Sequence, residues 1–211
     1  MKIAVLGADT ELGRRIVNAA EGAGIQVVSV VEHFTSSIGN GPLIIKEVRE
    51  LSINDLSKCH AVIDTLSFPR IEAYGTENLP FWHVRNLIKN SPIKLIAVGS
   101  SAFLYTDKKR DTFVRDMDGI HFDNNEKRHN LAVEAFLKIK KIHDVEWTLL
   151  CPPLVLDLKA YGTGKFELGD DILPMSVSGS SYISLCDFCK ALVELLKVGG
   201  YSCRCVGVRS L

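Results

Sequence analysis

Short apolar runs recur along the chain, each closed by glycine or a polar turn, and between them apolar residues repeat at helical spacing. Lys2 to Leu6 is the first run and stops at Gly7. Leu12, Ile16 and Val17, with Ala19 and Ala20, mark one face of a helix that runs to about Gly22, and Gln26 to Val31 is a second strand beyond Gly24. Strand, tight turn, helix and strand in this order open a right-handed parallel unit. The runs are continuous rather than alternating, which is the pattern of strands covered on both faces.

The same reading extends along the chain. Residues 35–42 form a polar loop, Leu43 to Lys46 a weak third strand, Ser52 to Ser57 a short helix and Ala61 to Asp64 a better strand. Thr65 to Gly75 is expected as a loop. Thr76 to Lys89 is expected as a helix whose regular part starts at Pro80. Lys94 to Val98 is a strong strand ending at Gly99, and residues 105–123 read as a long charged surface loop. Asn124 to Ile142 is the longest expected helix, with Leu131, Ala132, Ala135, Phe136 and Ile139 on its apolar face. Glu146 to Leu150 is a strand halted by Cys151-Pro152-Pro153.

Beyond these prolines the character changes. Residues 157–181 are rich in Gly, Ser, Asp and Pro, with strand-like pieces at Lys165 to Leu168 and Tyr182 to Ser184. Ser184 and Asp187 are spaced as a capping box for a helix reaching Lys197, and Tyr201 to Val208 is the last strand. The expected class is α/β: one Rossmann-like, NAD(P)-binding domain over residues 1–211, built on a doubly wound parallel sheet. Residues 157–184 form its small irregular C-terminal substrate region or lid.

Composition narrows the function classes. The chain has 211 residues, 46% of them apolar and 24% charged, and its 25 Lys and Arg balance 25 Asp and Glu. Such a balance offers no excess charge to a nucleic acid or an anionic membrane. No apolar run approaches the ~20 residues that span a bilayer, and MKIAVLGADTELG lacks the features of a signal peptide. A cytoplasmic protein, monomeric or homodimeric, is expected. The six cysteines include Cys186-x-x-Cys189 and Cys203-x-Cys205. The first pair falls in a helical pattern and the second in an alternating one. They are read as buried small apolar residues rather than as zinc ligands or disulfides, so no metal is expected.

Candidate chemistry gathers at the strand ends. In Gly7-Ala8-Asp9-Thr10-Glu11-Leu12-Gly13, Gly7 suits the tight turn and Gly13 a close helix–sheet contact, and the helix start offers free N–H groups to a pyrophosphate. Thr10 stands where a glycine would let the phosphate approach. It can cap the helix and donate its hydroxyl to a phosphate, while Asp9 and Glu11 add negative charge nearby. Glu32, 25 residues beyond Gly7, can accept from a ribose diol and repels a 2′-phosphate, so NADH is favoured modestly over NADPH; Lys46 and Arg49 can still swing in. Thr65 and Leu66 can flank the adenosine and ribose. Gly99 gives backbone access, Ser100 or Ser101 can bond the nicotinamide or a substrate, and Cys151, Pro152 and Pro153 can line the nicotinamide end. Tyr161-x-x-x-Lys165 matches a proton-donating pair in spacing, but its two glycines argue against the shared helix face that such a pair needs.

Three stretches carry a resemblance. KIAVLGADTELG, VGSSAFLYTD and DVEWTLLCPPLV resemble the atypical short-chain dehydrogenase/reductase family, in the branch of the NAD(P)H-dependent flavin reductases and biliverdin-IXβ reductase. The tail from YGTGKFELGDD is similar to bacterial NADH-flavin reductase-like proteins. The resemblance implies that Ser101 sits beside nicotinamide and substrate and is the residue for catalysis. It also implies that Gly7, Thr10, Glu11, Leu12 and Gly13 line the diphosphate, with Cys151 to Pro153 at the nicotinamide end. Those reductases lack the Tyr-Lys pair, and the family's histidine after the two prolines is here Leu154, which weakens biliverdin as a substrate.

The expected activity is hydride transfer from NADH or NADPH directly to a free flavin, a quinone or a related ring acceptor, flavin being a substrate rather than a tightly bound cofactor. Phe103, Tyr105 and Trp82 are candidates for the acceptor pocket's walls, Phe103 and Trp82 equally for core packing. The rival expectations are a non-catalytic NAD(P)-binding sensor or regulator, and a structural protein that kept the sheet and lost the ligand.

Overall fold

Lys2–Leu6 (β1) lies between Gln26–Val31 (β2) and Ala61–Asp64 (β4), parallel to both. The computed structural model describes residues 1–33, 38–117, 126–176 and 179–211. Outward from β2 comes Leu43–Ile45 (β3). Outward from β4 come Lys94–Val98 (β5), Trp147–Cys151 (β6) and Arg204–Ser210 (β10), all parallel, and Phe166–Leu168 (β8) closes the far edge antiparallel to β10. The order is β3-β2-β1-β4-β5-β6-β10-β8, a doubly wound sheet whose winding reverses between β1 and β4. A separate parallel pair joins Val155–Asp157 (β7) to Tyr182–Ser184 (β9).

Helices cover both faces. Glu11–Gly22 (α1) and Leu185–Val198 (α6) pack together on one face, over Ile3, Val5, Ile63, Ile96 and Val206. The other face carries Ile53–Leu56 (α2), Ile71–Tyr74 (α3), Pro80–Ile88 (α4) and Glu126–Ile139 (α5), over Ala4, Leu6, Val62, Leu95 and Leu149. Strand residues point alternately to the two faces, and both faces are dry, so the central positions of β1, β4, β5 and β6 are apolar almost without exception. The polar residues are Lys2 and Lys94 at strand starts, Asp64 at a strand end and the bonded Thr148.

Several boundaries differ from expectation. In the segment expected as helix from Thr76, the helix begins at Pro80, where its regular part was expected, because proline suits the first helical position, where no N–H partner exists. The expected start of α5 at Asn124 lies outside the described residues, as do residues 118–123 of the expected loop. Its described part keeps the charged residues 107–111 exposed, as expected, but is anchored at both ends: Tyr105 bridges both Phe113 and Ile172, Val114–Asp116 forms a 3-10 turn, and Tyr105 and Val114 are buried. Within residues 65–75 the chain forms α3.

The cysteines divide. Cys59, Cys151, Cys189 and Cys205 are buried, whereas Cys186 is half-buried and Cys203 exposed. Cys203 sits in a left-handed turn, φ 54°, just before β10, so the expected alternation with Cys205 fails. Burial pushes the Cys189 thiol up to about 12 and raises those of Cys59 and Cys205. Thiols held protonated in this way are unreactive. Among the described residues no three His, Cys, Asp or Glu side chains stand together as a metal site.

Candidate functional site

The carboxyl ends of β1, β2, β4, β5 and β6 form one rim. At β1 the chain turns sharply at Gly7, whose φ of 70° is left-handed, and the N–H groups of Gly7 and Ala8 both donate to Val30 O of β2. A Cβ on Gly7 would lie 2.4 Å from Leu66 Cδ2, and one on Gly13 would lie 2.1 Å from Gly7 O. Both glycines are therefore fixed by packing within the protein. Thr10 is the N-cap of α1: its hydroxyl donates to Gly7 O at 2.8 Å and accepts from Gly13 N at 3.0 Å. The cap is the one expected from sequence, and the hydroxyl proton is engaged by Gly7 O. Asp9 accepts from Arg14 through its backbone carbonyl, and Glu11 pairs with Arg15 at 3.5 Å. Among the described residues the N–H groups of Glu11 and Leu12 keep no partner, and they stand at the positive end of the α1 dipole.

At β4 the side chains turn inward. Thr65 Oγ1 donates to Leu6 O at 2.6 Å, and Thr65 and Leu66 are each 2% exposed, packed under Gly7 rather than facing the crevice. Asp64 is fully buried and accepts from the N–H groups of Leu66 (2.9 Å) and Ser67 (3.0 Å) and from the Ser67 hydroxyl. Burial raises its pKa and these three bonds oppose the rise. The Ser67 hydroxyl in turn accepts from Phe81 N, tying the turn to α4. Asp64 thus sets the conformation of the rim here, a role that sequence reasoning missed. The signal was present in Asp64-Thr65-Leu66-Ser67, since an aspartate commonly accepts from N–H groups two and three residues on.

At β2, Glu32 Oε2 lies 3.8 Å from Arg70 Nη1, which reaches over from the segment after β4. Lys46 is bonded to Asp55 at 2.9 Å and Arg49 to Glu47 at 2.9 Å, so neither of the cations expected near Glu32 is the one that meets it. A cleft of about 620 Å³ adjoins Glu32, lined in part by Val48, Ala73, Tyr74 and Trp82.

The two serines after β5 separate cleanly. Ser100 accepts from Ala102 N at 3.2 Å and caps the 3-10 turn Ser101–Phe103. Ser101 is 9% exposed, and its hydroxyl has no partner among the described residues. Gly99 has no room for a Cβ, which would lie 2.8 Å from Cys151 Sγ and 3.0 Å from Phe103 Cζ. The Cys151 thiol therefore fills the core beneath Gly99, leaving only the backbone of Cys151 and the rings of Pro152 and Pro153 at the rim. Pro153 is buried, and Leu154 N donates to Ser181 Oγ at 3.2 Å.

The expected aromatic walls are elsewhere. Phe103 is core, stacked on Phe136 at 4.8 Å, and Tyr105 stacks on Phe113 with its hydroxyl 3.3 Å from Lys140 Nζ. Trp82 donates to Thr76 O and lines the cleft on the Glu32 side. Tyr161 is 98% exposed on a non-helical segment, so it shares no helix face with Lys165. That segment instead wraps buried Asp187, which accepts from the N–H groups of Thr163 and Gly164.

The chain is a doubly wound α/β protein of Rossmann type, with its glycine turn at the end of the first strand and the winding of its sheet reversing between β1 and β4. No known protein-family profile matches it. It is 26% identical over 202 residues to YwnB of Bacillus subtilis, an uncharacterised protein, across 93% of this chain and 92% of that one. A crystal structure from Streptococcus pneumoniae, described as a candidate NADH-flavin reductase, superposes with a TM-score of 0.90 at 21% identity, covering 100% of both chains. One from Bacteroides thetaiotaomicron, described as a candidate epimerase, superposes with a TM-score of 0.79 at 20% identity, over 100% of this chain and 97% of that one. These likenesses establish the shared fold. Among the described residues no helix is long and apolar enough to cross a membrane.

Proposed function

We propose that the chain is an NAD(P)H-dependent reductase that passes hydride directly to a free flavin, a quinone or a similar ring. The observation that carries this reading is the Ser101 hydroxyl, left without a partner among the described residues at the end of β5, whereas Ser100 beside it, Thr10 after β1 and Thr65 after β4 are all engaged. The residues at β1 fit a dinucleotide. Two free N–H groups at the start of a 12-residue helix, beside a left-handed glycine, suit the charge and shape of a pyrophosphate. The bound nicotinamide would supply the hydride.

The chain's own residues hold and orient. Glu11 and Leu12 donate backbone bonds to the diphosphate, and Glu32 accepts from the adenosine ribose. Gly99 and Pro153 bound the nicotinamide end, and Ser101 donates to the acceptor ring or the carboxamide. The described part of residues 157–184 walls the acceptor side, since Ser181 is bonded to Leu154 just past the prolines. No side-chain acid is required, because the proton that completes reduction of a flavin or quinone can come from solvent. The S. pneumoniae protein's description as a candidate NADH-flavin reductase supports this acceptor class.

The test is direct. Purified protein with NADH or NADPH is given FMN, riboflavin or a short-chain quinone, and the nicotinamide absorbance is followed. Steady loss above the protein-free rate is expected with at least one acceptor. Tight dinucleotide binding without turnover of any acceptor would replace the reductase by a sensor, and absence of binding would remove both.

A further inference from the structure

A cleft of about 600 Å³ lies between α1 and α6 and takes no lining from the strand ends of the rim. Its lining is of two kinds. Ala19 of α1, Ala23 at its cap, Val193 of α6 and Phe166 of β8 form an apolar bed. Arg15, Lys190 and Lys197 bring three cations, against one carboxylate, Glu194, among the described residues. Helical spacing explains the gathering: Arg15, Ala19 and Ala23 recur every four residues, as do Cys189, Val193 and Lys197, so each helix turns one side to the cleft. The fold does not consume these cations. Arg15 stands 3.5 Å from Glu11 and Lys190 3.8 Å from Asp187, each cation 46% exposed, and Lys197 has no ion pair among the described residues. Exposed pairs of this length contribute little. Neither carboxylate depends on its cation, since Glu11 is open to water and Asp187 is bonded to the N–H groups of Thr163 and Gly164. The cleft thus joins an apolar bed to a surplus of positive charge.

We propose that this cleft is a second ligand site, separate from the dinucleotide crevice, and that it takes a small amphipathic anion: an apolar acyl or aryl body carrying one acid group. The body lies on Ala19, Ala23, Val193 and Phe166, and the acid group is held between Arg15 and Lys190. A volume of about 600 Å³ is that of a small-molecule site. Its charge selects the ligand, because a neutral body of the same shape gains only the apolar contact, whereas an acid group adds charge-assisted bonds from a guanidinium and an ammonium. Taking these cations from Glu11 and Asp187 leaves no buried group without a partner, so the exchange costs little. The site does not depend on the reductase reading.

The experiment is a fluorescence titration of the full chain with anilinonaphthalene sulfonate and with phenylnaphthylamine, which keeps the apolar body and lacks the acid. Saturable binding of the sulfonate is expected, about 10-fold or more tighter than the neutral compound and weakening as salt rises. Arg15→Gln combined with Lys190→Gln weakens the sulfonate about 10-fold or more and leaves the neutral compound within about 3-fold. Both changes fall on exposed side chains, so the fold is kept. Location is read separately through Cys186, which lines the cleft and is half-buried. On a Cys203→Ser background the remaining cysteines are buried, and saturating sulfonate slows alkylation of Cys186 by iodoacetamide about 5-fold or more, since few free molecules remain. Absence of saturable binding, equal affinity for the two compounds, undiminished affinity in the double variant, or a Cys186 that reacts at the same rate with and without the sulfonate overturns the site. None of these outcomes touches the turnover of NADH, so the reductase reading stands or falls by its own test.

Discussion

The rim at β1 and the rim at β5 are each a strand, a glycine and a polar turn, yet they present different chemistry. After β1 every hydroxyl near the turn is taken: Thr10 bonds Gly7 and Gly13, and Thr65 bonds Leu6. What faces outward is backbone. After β5 one serine closes the turn and the next keeps its hydroxyl free. A surface made of N–H groups depends on side chains only for its shape, so substitutions there act through folding. A surface made by one hydroxyl should lose function while the fold stays intact.

The largest effect should come from the backbone rim. Gly13→Val places a side chain against Gly7 O and Ala8 Cα, both main chain, and is expected to cost more than about 4 kcal/mol or to prevent folding, as read by denaturant melts. Asp64→Ala leaves two N–H groups and the Ser67 hydroxyl without their acceptor in the core, a loss of roughly 3 kcal/mol or more in the same measurement. At the other rim, Ser101→Ala should lower acceptor turnover about 10-fold with dinucleotide affinity and melting temperature unchanged. A fall in stability there would erase the contrast between the two rims.

Thr10 sharpens the same point at smaller scale. Thr10→Ala should cost about 1 kcal/mol and Thr10→Gly only roughly a few tenths, because glycine is tolerated as an N-cap. The smallest effect lies away from both rims. The Lys46 ammonium, with the Ser52 N–H and hydroxyl, lowers Asp55 from 3.8 to about 2. A carboxyl lowered on folding stabilises above its unfolded pKa, and the gain fades as pH falls through the folded value. Asp55→Asn should therefore flatten the melting temperature between about pH 4 and pH 2.

What the sequence disclosed was local. Ala61–Asp64, Lys94–Val98 and Tyr182–Ser184 stand where the apolar runs placed them, and Ser184 caps α6 by accepting from Asp187 N, although the Asp187 carboxylate, expected to complete a capping box, is bonded to Thr163 and Gly164 instead. What it withheld depends on partners far along the chain. β7 reads as a few residues after two prolines until Tyr182–Ser184 pairs with it. Arg70 meets Glu32 across 38 positions, while the nearer Lys46 and Arg49 are taken by other carboxylates. The two adjacent serines are equivalent as letters, and only the 3-10 turn decides which is engaged. Tyr105 and Phe113 are apolar islands in charged sequence, and their stacking pins the ends of a loop whose charged residues 107–111 stay outside.

The antiparallel edge has a consequence for synthesis. β8 leaves the ribosome before its only neighbour in the sheet, because residues 204–210 are translated after residues 166–168. During that interval the nascent chain can assemble β3 through β6, whose partners are already made, while β8 waits with its backbone unpaired. Its brevity and the outward Glu167 make it a poor template for another nascent chain. A stall or cleavage before Arg204 would release a protein with its crevice strands built and its last edge open.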